Sequence, residues 1–129
     1  MAYCGNSQLY KGIDILLFGG EVINGYLNGK VKEYHEDGNL WFEGEYINDK
    51  RNGKGVEFYY NGNIKFEGEF FNNKPYIGKD YYYSGKLKFV GQYFNSKKWE
   101  GKGYNQNGNL EYELIKDRKS TRLNSSHAR

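Results

Sequence analysis

The chain is 129 residues long and holds 14 Tyr, 8 Phe and 2 Trp beside 18 Gly. Its 20 branched aliphatic residues are outnumbered by 24 aromatic ones, which argues against a bundle or sandwich interior, filled at crystal-like density mainly by Leu, Ile and Val, and favours a thin sheet with one face covered by rings. The formal charge of +3 resides in residues 117–129, where Arg118, Lys119, Arg122 and Arg129 stand against Asp117; the rest balances at fifteen of each sign, so basicity points to no nucleic-acid partner.

Residues 1–13 form an N-terminal lead-in, and its lone Cys4 cannot make an internal disulfide, which suits a reducing, cytoplasmic location. The longest apolar run, Ile15-Leu16-Leu17-Phe18, is too short for a membrane span. From there a unit recurs. Aligned on a strand glycine, the copies read Phe18-Gly19-Gly20-Glu21-Val22, Phe42-Glu43-Gly44-Glu45-Tyr46, Phe66-Glu67-Gly68-Glu69-Phe70 and Phe89-Val90-Gly91-Gln92-Tyr93, at spacings of 24, 24 and 23. A fixed period in this range marks a repeat architecture. The units run 14–37, 38–61, 62–84, 85–107 and a truncated 108–116.

In the best copy Leu40, Phe42, Gly44 and Tyr46 alternate with Trp41, Glu43, Glu45 and Ile47, the period of a strand rather than a helix. The turn formers Asn48 to Gly53 then read as a loop, and Val56 to Tyr60 as a second strand. Pro75 falls in the corresponding loop of the next unit. Asn61-Gly62 suits the turn into the following hairpin. The expected fold is all-β: an elongated, single-layer antiparallel meander of tandem hairpins. Mid-strand glycine is costly, so Gly20, Gly44, Gly68 and Gly91 mark places where flanking rings lie close.

Residues 117–127, Asp-Arg-Lys-Ser-Thr-Arg-Leu-Asn-Ser-Ser-His, resemble the in-frame translation of a common sequencing adapter. Residues 117–129 are therefore expected to be a disordered, artefactual tail outside the fold, with the array broken off at Lys116.

Phe42-Glu43-Gly44-Glu45-Tyr46, Asn52-Gly53-Lys54-Gly55 and Asn61-Gly62 together resemble the MORN (membrane occupation and recognition nexus) repeat, over residues 14–116. Val22, Val31 and the single Gly78 depart from its pattern, as does the loop Lys97-Lys98-Trp99-Glu100. The resemblance implies a twisted β-meander for scaffolding, oligomerisation, partner docking or contact with acidic phospholipids, and no catalytic activity, cofactor or small-molecule substrate.

The residues themselves assemble no catalytic or metal site. Glu43/Glu45 and Glu67/Glu69 sit at strand spacing on the wetter face, which favours solvation over paired acid–base work. One histidine, His35, outside the tail leaves no ligand cluster, and Gly53-Lys54-Gly55 opens no helix, as a phosphate loop would. Two surfaces remain. The rings Phe42, Tyr46, Phe66, Phe70, Phe89 and Tyr93 either cover the glycines or bind a partner. Lys50, Arg51, Lys54, Lys74, Lys79, Lys97, Lys98 and Lys102 form a basic edge near the hairpin tips, either solvated against aggregation or facing an anionic partner. The leading function is a non-enzymatic module for protein binding, scaffolding or self-association. The alternatives are peripheral attachment to acidic phospholipid and a regulatory segment of a larger enzyme.

Overall fold

The structure, a computed structural model, describes residues 8–9, 15–116 and 123–125, and the surroundings of side chains from 16 to 116. Eleven strands follow in chain order: β1 (Gln8–Leu9), β2 (Ile15–Ile23), β3 (Tyr26–His35), β4 (Leu40–Ile47), β5 (Lys50–Phe58), β6 (Ile64–Phe71), β7 (Lys74–Tyr81), β8 (Leu87–Phe94), β9 (Lys97–Tyr104), β10 (Leu110–Lys116) and β11 (Leu123–Ser125). All lie in one sheet with neighbours in sequence order, antiparallel throughout. The expected meander of hairpins is the observed fold. Most of the tail, and with it the expectation of disorder, lies outside the described residues; its three described residues, Leu123–Ser125, pair with Leu114–Lys116.

Two kinds of turn alternate along the two edges. Within each hairpin the turn is two residues, Asn24-Gly25, Asn48-Asp49, Asn72-Asn73 and Asn95-Ser96, both with positive φ. This is the type I′ geometry that matches strand twist, and Asn and Asp adopt it at modest strain. Loops therefore close sooner than the sequence suggests: residues 50–54 and 97–100 belong to β5 and β9, and Pro75 to β7. Between hairpins the turns are longer. Gly38, Gly62, Gly85 and Gly108 take positive φ, and each donates its N–H to a carbonyl three residues back, from His35, Tyr59, Tyr82 and Asn105.

The two-residue turns are also bonded to one another. Asp49 accepts the Leu27 N–H at 2.7 Å and returns its own N–H to the Leu27 carbonyl; Asn73 does the same for Arg51 at 2.9 Å. At the third step Pro75 has no N–H to give, and the turn residue there is Ser96.

Register aligns the mid-strand glycines into one continuous row. Gly44, Gly55, Gly68, Gly78, Gly91 and Gly101 pair in succession from β4 to β9, with Val31 before them and Leu114 after. A Cβ on Gly44 or Gly68 would stand 2.6 Å from the Cα of its partner glycine, so this row admits no side chain without moving a strand. The covering rings come mainly from the first strand of each hairpin and reach the paired glycine on the second: Phe42 lies over Gly55 as well as Gly44, Phe66 over Gly78 and Phe89 over Gly101, with Phe70 from the flanking strand also against Gly55. In the first unit the glycine in register is Gly19 rather than Gly20. There buried Leu17 stands where the other units have Phe, and buried Val31 where they have glycine. The smaller cover and the larger base conserve volume.

Register shifts once within each hairpin and once more where each later unit pairs with the one before it. Glu33 pairs with Phe42 but Tyr34 with Leu40, leaving Trp41 as an extra residue; Lys65, Lys88 and Glu111 fall in the same gap. Such a bulge shifts one end of the strand to the other face. Leu40 thus leaves the face of Phe42, correcting the simple alternation, while Trp41 packs with Leu17, Leu27 and Val31.

Candidate functional site

The aromatic row is largely buried. Phe42, Phe66, Phe70 and Phe89 are at most 3 % exposed, and Tyr46 and Tyr93 pack against them. Rings meet edge-to-face at 5.2 Å between Phe42 and Phe70 and at 5.3 Å between Phe66 and Phe70, the favoured aromatic geometry.

The basic residues do not form one edge. Lys50, Lys74 and Lys97 are exposed just beyond the two-residue turns, and Lys54, Lys79 and Lys102 lie mid-strand on the face opposite the rings. Arg51 and Lys98 turn inward. Arg51 is only 13 % exposed at its side chain: Nε donates to Glu33 Oε2 at 3.1 Å and Nη2 to Oε1 at 3.2 Å, Nη1 stands 3.8 Å from Glu57, and the guanidinium lies 4.0 Å from the Phe42 ring centre. Tyr46 also donates its hydroxyl to Glu33. Burial opposes the charge of Arg51, but the hydrogen bond and charge of Glu33, with Glu57, outweigh it and hold its pKa above the usual value. Burial, and then Glu33, push the Tyr46 pKa far up. Glu33, 4 % exposed, escaped the sequence reading; the available signal was an acidic residue recurring as Glu33, Glu57 and Asp80, each paired with a ring.

Equivalent positions two units later hold Asp80, Tyr93 and Lys98. Asp80 is one methylene shorter than Glu33, and the Tyr93 hydroxyl is buried without a hydrogen-bond partner. Burial raises the Asp80 pKa against the pull of Lys88, Lys98 and Lys65. Lys98 bonds the Tyr112 hydroxyl at 3.1 Å instead.

The opposite face carries three bands. Half-buried apolar residues pair across one of them, Tyr34 with Leu40, Phe58 with Ile64, Tyr81 with Leu87, and Tyr104 with the exposed Leu110. Beside it runs a charged row from β3 to β10, Lys32, Glu43, Val56, Glu67, Lys79, Val90, Lys102 and Glu113, each paired with the next. Between this row and its neighbour Lys30, Glu45, Lys54, Glu69, Ile77, the row of Val31, Gly44, Gly55, Gly68 and Gly78 turns only its backbone to this face, and two grooves of about 520 Å³ and 450 Å³ lie there, sharing Lys54, Gly55 and Val56. The third band follows the tips: Ile23, Ile47, Phe71 and Phe94 are 46, 51, 65 and 57 % exposed, and the last three pair with Lys50, Lys74 and Lys97.

Among the described residues no group of three or more His, Cys, Asp or Glu could hold a metal, and no helix is long and apolar enough to cross a membrane. Residues 42–64 and 66–75 match the MORN repeat model, and residues 27–48 match a MORN repeat variant. No curated protein matches the chain. MORN repeats are generally associated with protein or membrane-lipid interactions and are typically non-catalytic modules.

Proposed function

We infer that this MORN-repeat protein is a non-enzymatic docking module whose protein-binding surface is the face opposite the rings, used for scaffolding or self-association. The observation that supports this is the pair of connected grooves, floored by glycine backbone and walled by alternating Lys and Glu. Apolar contact at Val56 and Ile77 gives affinity there, and the alternating charges give register and discrimination. The ring face is consumed by packing and offers a partner little. A photocrosslinking residue placed at Val56 should capture a partner chain, whereas one at exposed Tyr83 should not. Equal capture at both positions, or none at Val56, would remove this reading.

A second reading is favoured by the tips. Each of three hairpins presents an exposed Ile or Phe paired with a Lys, the combination that lodges apolar groups at a lipid interface while cations meet acidic headgroups. Vesicles containing phosphatidylserine should bind the chain in a salt-sensitive manner, and Lys50→Glu, Lys74→Glu and Lys97→Glu together should abolish binding. Arg51 and Lys98 do not belong in that set. Binding that survives the triple reversal would reject the tip reading.

A further inference from the structure

Cross-strand pairing within the monomer sets Lys32 beside Glu43, Glu67 beside Lys79 and Lys102 beside Glu113, with the Tyr81 hydroxyl donating to Glu67; the order in which these pairs follow one another along the charged row adds a symmetry of its own. Read from β3 to β10 it runs Lys, Glu, Val, Glu, Lys, Val, Lys, Glu. Read backwards it becomes Glu, Lys, Val, Lys, Glu, Val, Glu, Lys. Laid one on the other, every Lys meets a Glu and both Val meet Val. A two-fold axis parallel to the strands, passing between β6 and β7 in the plane between two face-to-face sheets, performs this superposition: it reverses strand order and keeps each row opposite itself. An axis across the strands would set each strand on its own copy, opposing Lys32 to Lys32.

We propose that the partner of this face is a second copy of the chain, docked as an isologous dimer about that axis. The proposal rests on the reading of this face as the docking surface and names its occupant. At the centre Glu67 faces Lys79 of the other copy and Lys79 faces its Glu67, flanked by Val56 against Val90 on either side. Farther out Glu43 faces Lys102 and Lys32 faces Glu113. The apolar band obeys the same operation: Tyr34 meets Leu110, Leu40 meets Tyr104, Phe58 meets Leu87 and Ile64 meets Tyr81, so a large ring stands against a smaller aliphatic group in every pair. Sheets pack face to face about 10 Å apart, a gap that valines close by contact and Lys–Glu pairs bridge. Apolar band and charged row thus play the parts of sticky strip and register key.

Sedimentation equilibrium of the full chain tests this. The unmodified chain should show a concentration-dependent dimer. Glu67→Lys alone or Lys79→Glu alone places like charges across the axis twice, and each should raise the dimer dissociation constant about tenfold or more, with circular dichroism melting used to confirm folding. The double variant Glu67→Lys/Lys79→Glu should dimerise again. An equimolar mixture of the two single variants should form a heterodimer, because both central lysines of the first then face the two central glutamates of the second. Glu43→Lys and Lys102→Glu, both at exposed positions, provide a second pair with the same logic should the central variants fold poorly. A dimer indifferent to these reversals, or rescued by neither the double variant nor mixing, overturns the proposal. A monomer throughout, combined with capture of a different protein at Val56, overturns the identity of the partner while leaving the docking face in place; a monomer with no capture removes both.

Discussion

Two clusters occupy equivalent places over the glycine row and differ in completeness. Between β3 and β5, Glu33 is met by Arg51 through two hydrogen bonds and by the Tyr46 hydroxyl. Between β7 and β9, Asp80, Tyr93 and Lys98 stand at the same positions, yet the Tyr93 hydroxyl is buried and unbonded. A repeat that duplicates backbone geometry therefore does not duplicate its buried polar network, because one methylene decides whether a carboxylate reaches its donor. The backbone layer tolerates no such drift.

The difference predicts unequal responses to the same chemical change. Removing the cation should separate the regions most: Arg51→Met leaves Glu33 buried without its partner and should cost about 3–5 kcal/mol, whereas Lys98→Met should cost no more than about 1 kcal/mol, both read from urea unfolding. The glycine row should erase the contrast. Gly44→Ala and Gly91→Ala each force a Cβ against the next strand and should each lose about 3 kcal/mol; unequal losses would mean that the two halves of the row differ. Smaller still, Tyr46→Phe deprives Glu33 of one donor, at about 1–3 kcal/mol, but Tyr93→Phe removes a hydroxyl that bonds nothing and should be neutral or stabilising. The smallest effect concerns pH. Burial raises the Asp80 pKa in the folded chain, so the fold favours its protonated form; that preference is fully present below the unfolded carboxylate value and is lost as pH rises through the folded one. Asp80→Asn should therefore raise the melting temperature at neutral pH and lose that advantage by about pH 3. A constant advantage across pH would show that folding leaves the Asp80 pKa where it is in the unfolded chain.

Periodicity made the strands, their order, the ring face and most of the glycine row legible, since all of these follow from a period of two nested in a period of 23 or 24 residues. What escaped was displaced by local backbone chemistry. Asn48-Asp49 completes a turn in two residues, so Arg51, which a longer loop would set at a tip, points into the core. Trp41 sits in a bulge, which no alternation rule can see because the extra residue is defined by pairing with another strand. Gly19 takes the place expected of Gly20 for the same reason. The charged row required register across eight strands, a relation distributed over the whole array rather than held in any one unit.

The bonds between successive two-residue turns carry a mechanical consequence. Where Asp49 grips Leu27 and Asn73 grips Arg51, one hairpin is latched to the next outside the sheet ladder itself. Pro75 has no N–H to give to such a latch, so the joint between the third and fourth hairpins rests on strand pairing and on ring contacts such as Phe66 with Tyr93. Pulled from its ends, the array should come apart there first, like a chain with one unsoldered link, and single-molecule extension records should show rupture at that seam before any other.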